Sequence, residues 1–295
     1  METSTIAFLG IGLMGKPMAT RLAMAGHTIR AWNRTSGKAE ELRSAGVRPC
    51  AGLAEALDGA ALVISMLEAG PVVAQVIEAA APHLRADALW IDMSSTQHGE
   101  ALAFHARLPH FLDAPVSGGV AGATAGTLAI MAGGSEADYV RAEAVLAVLG
   151  RPQRVGPGGS GQVAKLCNQL IVGGTINIVA EALLLAQAAG ADPAAVRAAI
   201  RGGFAESRIL ELHGQRMLER NFIPGGQVRS QVKDLQNVLV AAADAGLALP
   251  LTALALEHFQ SIAAAHPTAD HSAALLALEQ MNPGLRLGGA PDQLP

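Results

Sequence analysis

Short apolar runs alternate with longer amphipathic segments through the first half of the chain. The runs are rich in residues that favour β-structure, as buried strands are, and they predict strands at residues 5–9, 27–33, 61–66, 88–93, 127–132 and 152–155. Between them, the pattern predicts helices that end at Gly26 or span residues 70–80, 97–108 and 135–149. Strands that alternate with helices are typical of an α/β fold with a parallel, doubly wound sheet.

The longest apolar segment, residues 159–190, contains no proline and almost no charge. As a continuous helix of about thirty residues it would be ~45 Å long. Lys165 lies near its beginning among apolar neighbours, and Asn168 follows one turn later. We interpret the segment as a buried helix that joins two domains, with Lys165 facing the cleft between them. The alternatives are a solvated position for Lys165, and a membrane span, which the polar side chains of the segment disfavour.

The rest of the second half has helical periodicity and no glycine-rich loop of its own. Its pattern predicts helices at residues 192–203, 227–245, 251–265 and 270–281. The glycine-rich residues 156–159 mark the expected domain boundary. We therefore predict a first domain over residues 1–157, a helical domain over 158–282, and a flexible tail over 283–295, since exposed terminal segments are often disordered.

Composition narrows the class of protein. A chain of 295 residues is long enough for two domains. The net charge of −4 and the absence of a Lys/Arg run argue against nucleic-acid binding. Cys50 and Cys167 lack the spacing of a disulfide or metal site, and the nine histidines form no metal-binding motif. Since the N-terminus lacks the positive region of a signal peptide, we expect a cytoplasmic protein that binds neither metal nor membrane.

A glycine motif follows the first predicted strand directly and leads into a helix. It consists of Gly10, Ile11, Gly12, Leu13, Met14 and Gly15. In this context Gly10 permits a tight turn, Gly12 lets the backbone approach a pyrophosphate, and Gly15 allows helix and strand to pack closely. The helix N-terminus offers free N–H groups to the phosphates. Strand, motif and helix in succession predict a dinucleotide site, although a glycine turn in another βαβ unit remains an alternative.

The end of the second strand indicates which dinucleotide is preferred. NAD-binding sites usually place Asp or Glu here to hold the ribose 2′-hydroxyl, whereas this chain has Asn33, Arg34 and Thr35. A guanidinium can bind a 2′-phosphate through two hydrogen bonds. The sequence therefore favours NADP over NAD, with a solvated Arg34, or one that stacks on adenine without discriminating, as the alternative.

Loops at the carboxyl ends of later strands are candidates for the same site, because ligands bind there in doubly wound sheets. This rule points to Met66 and Leu67 after one strand and to residues 94–96, including Thr96, after the next. An ordinary loop role is an equally open interpretation of each residue taken singly.

The segment DAPVSGG closes a further strand. Ser117, Gly118 and Gly119 would present a hydroxyl and backbone N–H groups without bulky side chains, which suits a substrate carboxylate. A tight turn that merely needs glycine is the alternative. Lys233, in the helical second half, could reach a cofactor, but its position on a predicted amphipathic helix slightly favours an exposed charge.

Taken together, four motifs in order resemble the β-hydroxyacid dehydrogenase family: FLGIGLMGKPMA, DAPVSGG, GSGQVAKLCNQ and KDL. The resemblance extends from Ile6 to about Met281. It implies an N-terminal Rossmann-type domain and an all-helical C-terminal domain joined by a long interdomain helix. It also implies roles for matching positions: catalytic for Lys165, carboxylate-binding for Ser117, Gly118 and Gly119, substrate-orienting for Asn168, and cofactor-contacting for Thr96 and Lys233.

The implied activity is reduction of a small aldehyde acid by NADPH, with Lys165 as the proton donor. Because lysine has an ordinary pKa of ~10.4, we expect apolar neighbours and the positive helix end to lower it. Other substrates of the same family remain open, as does a non-catalytic NADPH-binding sensor or scaffold. Imine reductases resemble this architecture, but they usually lack lysine at this helix position. The apolar helices of the second half also suggest a homodimer or homotetramer.

Overall fold

The computed structural model describes residues 4–295, so the first three residues of the predicted first domain lie outside the description. The chain divides into two compact units, Met1–Lys165 and Leu166–Pro295. This division falls inside the long helix, somewhat later than the boundary expected after residue 157.

The first unit is built on one sheet. Its strands, in chain order, are β1 (Thr5–Leu9), β2 (Thr28–Trp32), β3 (Arg48–Pro49), β4 (Leu62–Ser65), β5 (Leu89–Asp92), β6 (Phe111–Asp113), β7 (Val116–Ser117), β8 (Leu128–Gly133) and β9 (Gly150–Gly156). They lie in the order β3-β2-β1-β4-β5-β6-β8-β7, with β9 also paired to β8. The expected parallel, doubly wound arrangement is confirmed for the first six strands along the chain, β1 to β6.

Two strands, β8 and β9, run opposite to the other strands of the sheet. β8 runs antiparallel to β6 and β7 and parallel to β9. The connection from β7 to β8 holds only a seven-residue helix, whereas a parallel crossover needs about a dozen residues or more. The short connection therefore turns the chain back along the sheet.

Helices cover both faces of this sheet. Those of the first unit are α1 (Gly15–Met24), α2 (Gly37–Glu40), α3 (Leu53–Leu57), α4 (Gly70–Ala80), α5 (His98–Arg107), α6 (Gly119–Ala125) and α7 (Glu136–Leu149). Successive side chains of β1 enter opposite apolar clusters: Ile6 and Phe8 pack in one, and Ala7 and Leu9 in the other. A strand buried on both faces reads as a continuous apolar run, which is why β1 could be located from sequence.

The second unit is helical, as the periodicity predicted. The remaining helices are α8 (Ser160–Ala188), α9 (Pro193–Ile200), α10 (Arg208–Glu219), α11 (Val228–Asp244), α12 (Pro250–Ala263) and α13 (Ala274–Met281). α8 begins in the first unit and continues into the second. By length and composition it could cross a membrane, but 44% of its most apolar window is buried within the folded chain.

Residues 283–295, for which a flexible tail is predicted, make several contacts with the rest of the second unit. Arg220 is buried and donates to Glu279 Oε1 (2.7 Å) and to the carbonyl oxygen of Leu287 (3.0 Å). It also forms an ion pair with Asp292, and the N–H of Phe222 donates to the carbonyl oxygen of Gln293 (2.9 Å). A buried guanidinium requires such partners, and the C-terminal segment supplies several of them.

Candidate active site

The three motif glycines have different surroundings. Gly10 has a positive φ of 103°, and a Cβ there would lie 2.3 Å from the carbonyl oxygen of Met66. A Cβ on Gly15 would lie 1.9 Å from the carbonyl oxygen of Gly10. Around Gly12, by contrast, a Cβ would meet no atom of residues 4–295 within 4 Å. Two glycines are therefore required by the packing of the protein, and the third faces open space.

That open space adjoins the start of α1. Among the described residues no side chain caps this helix, and its first turn contains no acidic residue. Leu13 is exposed, while Met14 packs against the apolar cluster that contains Phe8. Uncapped N–H groups and a positive helix end are suited to bind a pyrophosphate. The loop therefore fits the dinucleotide expected from sequence.

Asn33 connects this loop to the end of β2. Its side-chain oxygen accepts from the N–H of Ile11 (2.9 Å), and its Nδ2 donates to the carbonyl oxygen of Thr35 (3.0 Å). Arg34 and Thr35 are exposed, and Arg34 has no ion-pair partner within residues 4–295. Asn33 thus holds two predicted cofactor loops together, and Arg34 stays available to an anion.

The loops after β4 and β5 are joined by a buried polar network. The N–H of Met66 donates to the carbonyl oxygen of Leu9 (2.9 Å), and that of Leu67 to Ser94 Oγ (2.8 Å). Ser94 Oγ in turn donates to Asp92 Oδ1 (2.7 Å). The structure therefore brings Met66, Leu67 and residues 94–96 to one edge of the sheet, as predicted from the strand ends.

Asp92 is a titratable group that sequence analysis did not single out. Burial raises the pKa of its carboxyl to about 7, although hydrogen bonds from Ser94 and Ser65 act in the opposite direction. Asp92 Oδ2 has no hydrogen-bond partner among the described residues. The β5 run WIDMSS could have revealed it, because an aspartate inside a buried apolar strand needs a special environment.

Thr96 carries an unsatisfied polar atom. The residue is buried, its N–H donates to Gln162 Oε1 (3.1 Å), and its hydroxyl oxygen has no hydrogen-bond partner in the described part of the chain. Buried hydroxyls are normally paired, so this one is suited to contact a ligand at the strand edge. Gln162 itself was missed from sequence, although a glutamine in an apolar helix was a visible signal.

α8 begins on the carboxyl of Asp113. The N–H groups of Gly159 and Gln162 donate to Asp113 Oδ1 (2.8 Å) and Oδ2 (2.9 Å), respectively. Lys165 lies in the next turn and is only 9% exposed. Asp113 belongs to the same DAPVSGG segment as the predicted carboxylate loop, so that segment also determines where the lysine helix starts.

Asn168 follows Lys165 by one turn and belongs to the second unit. Its Nδ2 donates to Gln169 Oε1 (2.7 Å), and Gln169 Nε2 donates to Asp234 Oδ2 (2.6 Å). Lys233, on α11, is half-buried, with its Nζ 3.6 Å from Asp234 Oδ1. Asn168 and Lys233 are therefore connected through polar side chains of α8 and α11.

The loop after Ser117 forms a tight turn with open space beside its backbone. Ser117 is paired with Ala129 in the sheet, and Gly118 and Gly119 have φ values of 136° and 61°. Such φ values favour glycine strongly. A Cβ on Gly118 would approach Leu128 Cδ2 at 3.1 Å, whereas one on Gly119 would meet no described atom within 4 Å. The turn therefore requires glycine and also leaves backbone accessible.

Family models match both halves of the chain. Residues 5–159 match the model described as the NAD-binding domain of 6-phosphogluconate dehydrogenase. Residues 159–278 match the model described as NAD-binding of NADP-dependent 3-hydroxyisobutyrate dehydrogenase. These matches support the nicotinamide dinucleotide indicated by the glycine loop and by Thr96.

The similarity to known proteins covers almost the whole chain. It is 41% identical to 2-hydroxy-3-oxopropionate reductase of Escherichia coli K12 over 94% of this chain and 97% of that one. The structure of a Mycobacterium tuberculosis 3-hydroxyisobutyrate dehydrogenase with L-serine has a TM-score of 0.87 at 32% identity, covering 94% of this chain and 99% of that one. A 3-hydroxyisobutyrate dehydrogenase from Salmonella typhimurium has a TM-score of 0.83 at 27% identity, covering 92% and 98%.

The motif order, the two-unit architecture and these similarities agree. The expected Rossmann-type sheet followed by a helical region is confirmed. The chain belongs to the β-hydroxyacid dehydrogenase family and is an NAD(P)-dependent oxidoreductase acting on CH–OH groups.

Proposed function

We propose that the chain is an NADPH-dependent reductase that converts tartronate semialdehyde (2-hydroxy-3-oxopropionate) to glycerate. The observation that carries the reaction type is the buried Lys165, one helical turn after Gln162, whose side chain contacts the loop of Thr96. The choice of substrate is supported by the 41% identity to the Escherichia coli reductase.

In this proposal Lys165 donates a proton to the aldehyde oxygen. A bound nicotinamide dinucleotide supplies the hydride for the carbonyl carbon. As hydride arrives, the carbonyl oxygen becomes negative, and the Lys165 ammonium stabilises that charge before giving up its proton. The Thr96 hydroxyl, which is buried and unpaired among the described residues, contacts the nicotinamide side of the site.

The substrate carboxylate is assigned to the turn after β7. The Ser117 hydroxyl and the N–H groups of Gly118 and Gly119 can each donate a charge-assisted hydrogen bond, which contributes on the order of 1.5–3 kcal/mol. Asn168, one turn after Lys165 on α8, orients the substrate hydroxyl or carbonyl. Binding the carboxylate at a fixed point places the reacting carbon at a defined distance from it, which favours small acids.

NADP is the proposed cofactor because Arg34 is exposed and unpaired beside the glycine loop, among the described residues. Arg34→Ala should abolish most of the preference for NADPH over NADH, measured as the ratio of kcat/KM values. Arg43, which is paired with Glu40 (2.8 Å), provides a matched control, since Arg43→Ala should leave that ratio unchanged. An unchanged ratio in Arg34→Ala would refute this assignment.

Turnover of a panel of short aldehyde acids tests the function directly. Tartronate semialdehyde should have the highest kcat/KM with NADPH. Lys165→Ala should lower kcat by about 10²–10⁴-fold, the usual contribution of a general acid, while NADPH binding remains nearly intact. Lys165→Arg keeps the charge but cannot readily release a proton, so it should remain severely impaired. Lost NADPH binding with normal turnover at saturation would exclude the proposed role.

A second candidate is 3-hydroxyisobutyrate dehydrogenase activity. It is favoured by the Mycobacterium tuberculosis structure and by the description of the second family model. The same panel separates the two candidates when it includes methylmalonate semialdehyde, the aldehyde that corresponds to 3-hydroxyisobutyrate, because this alternative requires that aldehyde to be reduced faster than tartronate semialdehyde. A binding protein without catalysis would turn over neither.

We also propose that this enzyme works in the cytoplasm as a homodimer or homotetramer. Ile171, Ile178 and Leu185 recur every seven residues on α8 and are 62%, 62% and 69% exposed. This spacing places them along one side of the helix. Ile178→Glu should lower the solution mass, whereas Val140→Glu, at an exposed valine of α7, should not. A monomeric wild type at micromolar concentration would overturn the proposal.

A further inference from the structure

Gln162 is a fully buried side chain for which the reaction chemistry so far gives no role. We propose that Gln162 is a positioning residue that couples the Thr96 loop to the helix carrying Lys165, and so determines how the proton donor is aligned with the cofactor side of the site. The proposal rests on the function proposed above, because alignment matters only if Lys165 acts in the reaction.

The Gln162 side chain uses both ends of its amide on one loop. Its Oε1 accepts from the N–H of Thr96 (3.1 Å), and its Nε2 donates to the carbonyl oxygen of Ser94 (2.8 Å). One acceptor and one donor are thus matched to a backbone donor and acceptor two residues apart. Among side chains of this length, glutamine offers both groups without first having to bind a proton, so this pairing favours glutamine.

The backbone of Gln162 is fixed as well. Its N–H donates to Asp113 Oδ2 (2.9 Å), at the end of β6. A single residue therefore connects the start of α8 with the ends of two neighbouring strands, β5 and β6. Lys165 follows at i+3, where side chains lie on the same side of a helix, so rotation of α8 would displace both residues together.

Close packing beside Gln162 prevents α8 from moving to compensate. A Cβ on Gly161 would lie 2.1 Å from the carbonyl oxygen of Asp113, and one on Gly133 would lie 2.5 Å from the N–H nitrogen of Gly161. The helix start is thus in near contact with the sheet. The Thr96 loop is the partner that would shift when the amide is removed, taking the Thr96 hydroxyl with it.

Asn177 provides a matched control on the same helix. It is 8% exposed, its Nδ2 donates to the carbonyl oxygen of Gly173 (2.8 Å), and its Oδ1 lies 3.1 Å from His258 Nδ1. Like Gln162 it is a buried amide with two polar contacts, but its contacts lie in the second unit. Removing either amide should cost stability, and only Gln162 should affect alignment.

The first experiment compares Gln162→Met with Asn177→Leu in the full-length protein. Gln162→Met should lower kcat by roughly tenfold to a hundredfold, as misplacement by about an ångström does. It should also raise the primary isotope effect with 4-deuterated NADPH, because hydride transfer becomes slower than product release. Asn177→Leu should lower Tm comparably and leave kcat and the isotope effect unchanged. Equal kinetic losses in the two variants would overturn the proposal.

The pH dependence of kcat in Gln162→Glu tests whether the hydrogen bonds of this side chain, rather than its burial alone, matter for turnover. When the introduced carboxyl is protonated, it offers one acceptor and one donor, as the amide does. When it is ionised, it cannot donate to the Ser94 carbonyl oxygen. Its kcat relative to wild type should therefore rise as pH falls, whereas that of Gln162→Met should not. A pH-independent ratio for Gln162→Glu would contradict the proposal.

Hydrogen exchange without cofactor keeps this proposal distinct from the proposed activity. The N–H of Thr96 should exchange faster in Gln162→Met than in wild type or Asn177→Leu, because its acceptor is gone. If wild type turns over no aldehyde acid, the proposed function fails, yet the exchange of Thr96 still tests the coupling. Unchanged exchange at Thr96 would overturn the inference about Gln162.

Discussion

Asp92 and Asp113 occupy the last positions of the adjacent parallel strands β5 and β6 and are paired directly in the sheet register. Both are almost completely buried. Asp113 uses both oxygens: Oδ1 contacts His105 Nε2 (2.7 Å) and the N–H of Gly159, and Oδ2 accepts from Gln162. Asp92 concentrates its partners on Oδ1 and leaves Oδ2 without one among the described residues.

The difference follows from what each carboxyl faces. Asp113 faces the N-terminus of α8, whose free N–H groups and positive end favour a carboxylate. Asp92 faces the hydroxyls of Ser65 and Ser94, and burial raises its pKa to about 7. The two aspartates therefore have different roles at neighbouring positions of the sheet. Asp113 caps α8, whereas Asp92 binds the hydroxyls of Ser65 and Ser94 and has a raised pKa.

Replacing Asp113 by asparagine should give the largest effect. An asparagine can accept at only one side-chain atom, so either Gly159 or Gln162 would lose its acceptor, and the hydrogen-bond contact with His105 would be disturbed. We expect Asp113→Asn to lower the free energy of unfolding by about 3–5 kcal/mol, because one buried N–H loses its acceptor and the other hydrogen bonds of this side chain weaken. Urea denaturation measures this, and wild-type stability would show that the cap is dispensable.

The same substitution at Asp92 should instead raise the free energy of unfolding near neutral pH. A carboxyl with a raised folded pKa contributes stability below its unfolded pKa, near 4, and loses it as pH rises to about 7. Asp92→Asn removes this titration, so its stability relative to wild type should increase across that range by a few kcal/mol, about 1.4 per pKa unit.

The measurement is a series of urea denaturations of both proteins from pH 4 to 8. Wild type alone would be ambiguous, because burial lowers the pKa of His213 to about 4, which makes stability rise with pH over the lower part of the same range. That contribution cancels in the difference between Asp92→Asn and wild type. A difference that does not vary with pH would show that Asp92 does not titrate there.

Removing either serine hydroxyl that donates to Asp92 should have a smaller effect on stability, and the two variants should differ in cofactor binding. Ser94→Ala leaves the N–H of Leu67 without its acceptor, at a cost of about 1–2 kcal/mol, and should raise the KM for the dinucleotide. Ser65 also donates to Asp92 but accepts from Trp90 Nε1 (2.9 Å) rather than from a loop. Ser65→Ala should therefore cost similar stability without changing that KM. An unchanged KM in Ser94→Ala would mean that the Ser94 hydroxyl does not organise the Leu67 loop.

Features set by local spacing could be predicted from the sequence. The glycine motif, the buried β1 and the isolated lysine on α8 each depend on a contiguous pattern, and the fold and its family follow from them. Gln162 and Thr96 could not be linked in this way, because their contact joins residues 66 positions apart. The two hydrogen bonds of the Gln162 side chain form only because the fold places the loop after β5 beside the start of α8.

Local sequence patterns are less informative for two polar segments, α10 and the C-terminal residues. α10 is rich in charged residues and contains Gly214, and the sequence pattern predicts no helix there, although Ser207 caps it by accepting from the N–H of Leu210 (3.0 Å). The C-terminal segment is rich in glycine and proline, and its contacts include an ion pair and a hydrogen bond with Arg220, far back in the chain. Local composition cannot reveal such long-range compensation.

The unequal surroundings of the three motif glycines have an evolutionary consequence. Gly10 and Gly15 are constrained by the backbone of the protein itself, whereas Gly12 is constrained only by what comes to occupy the space beside it. Selection for folding alone would preserve the first two and allow position 12 to drift. A descendant that kept this fold but abandoned its dinucleotide would therefore reveal the loss first at position 12, in an otherwise intact glycine motif.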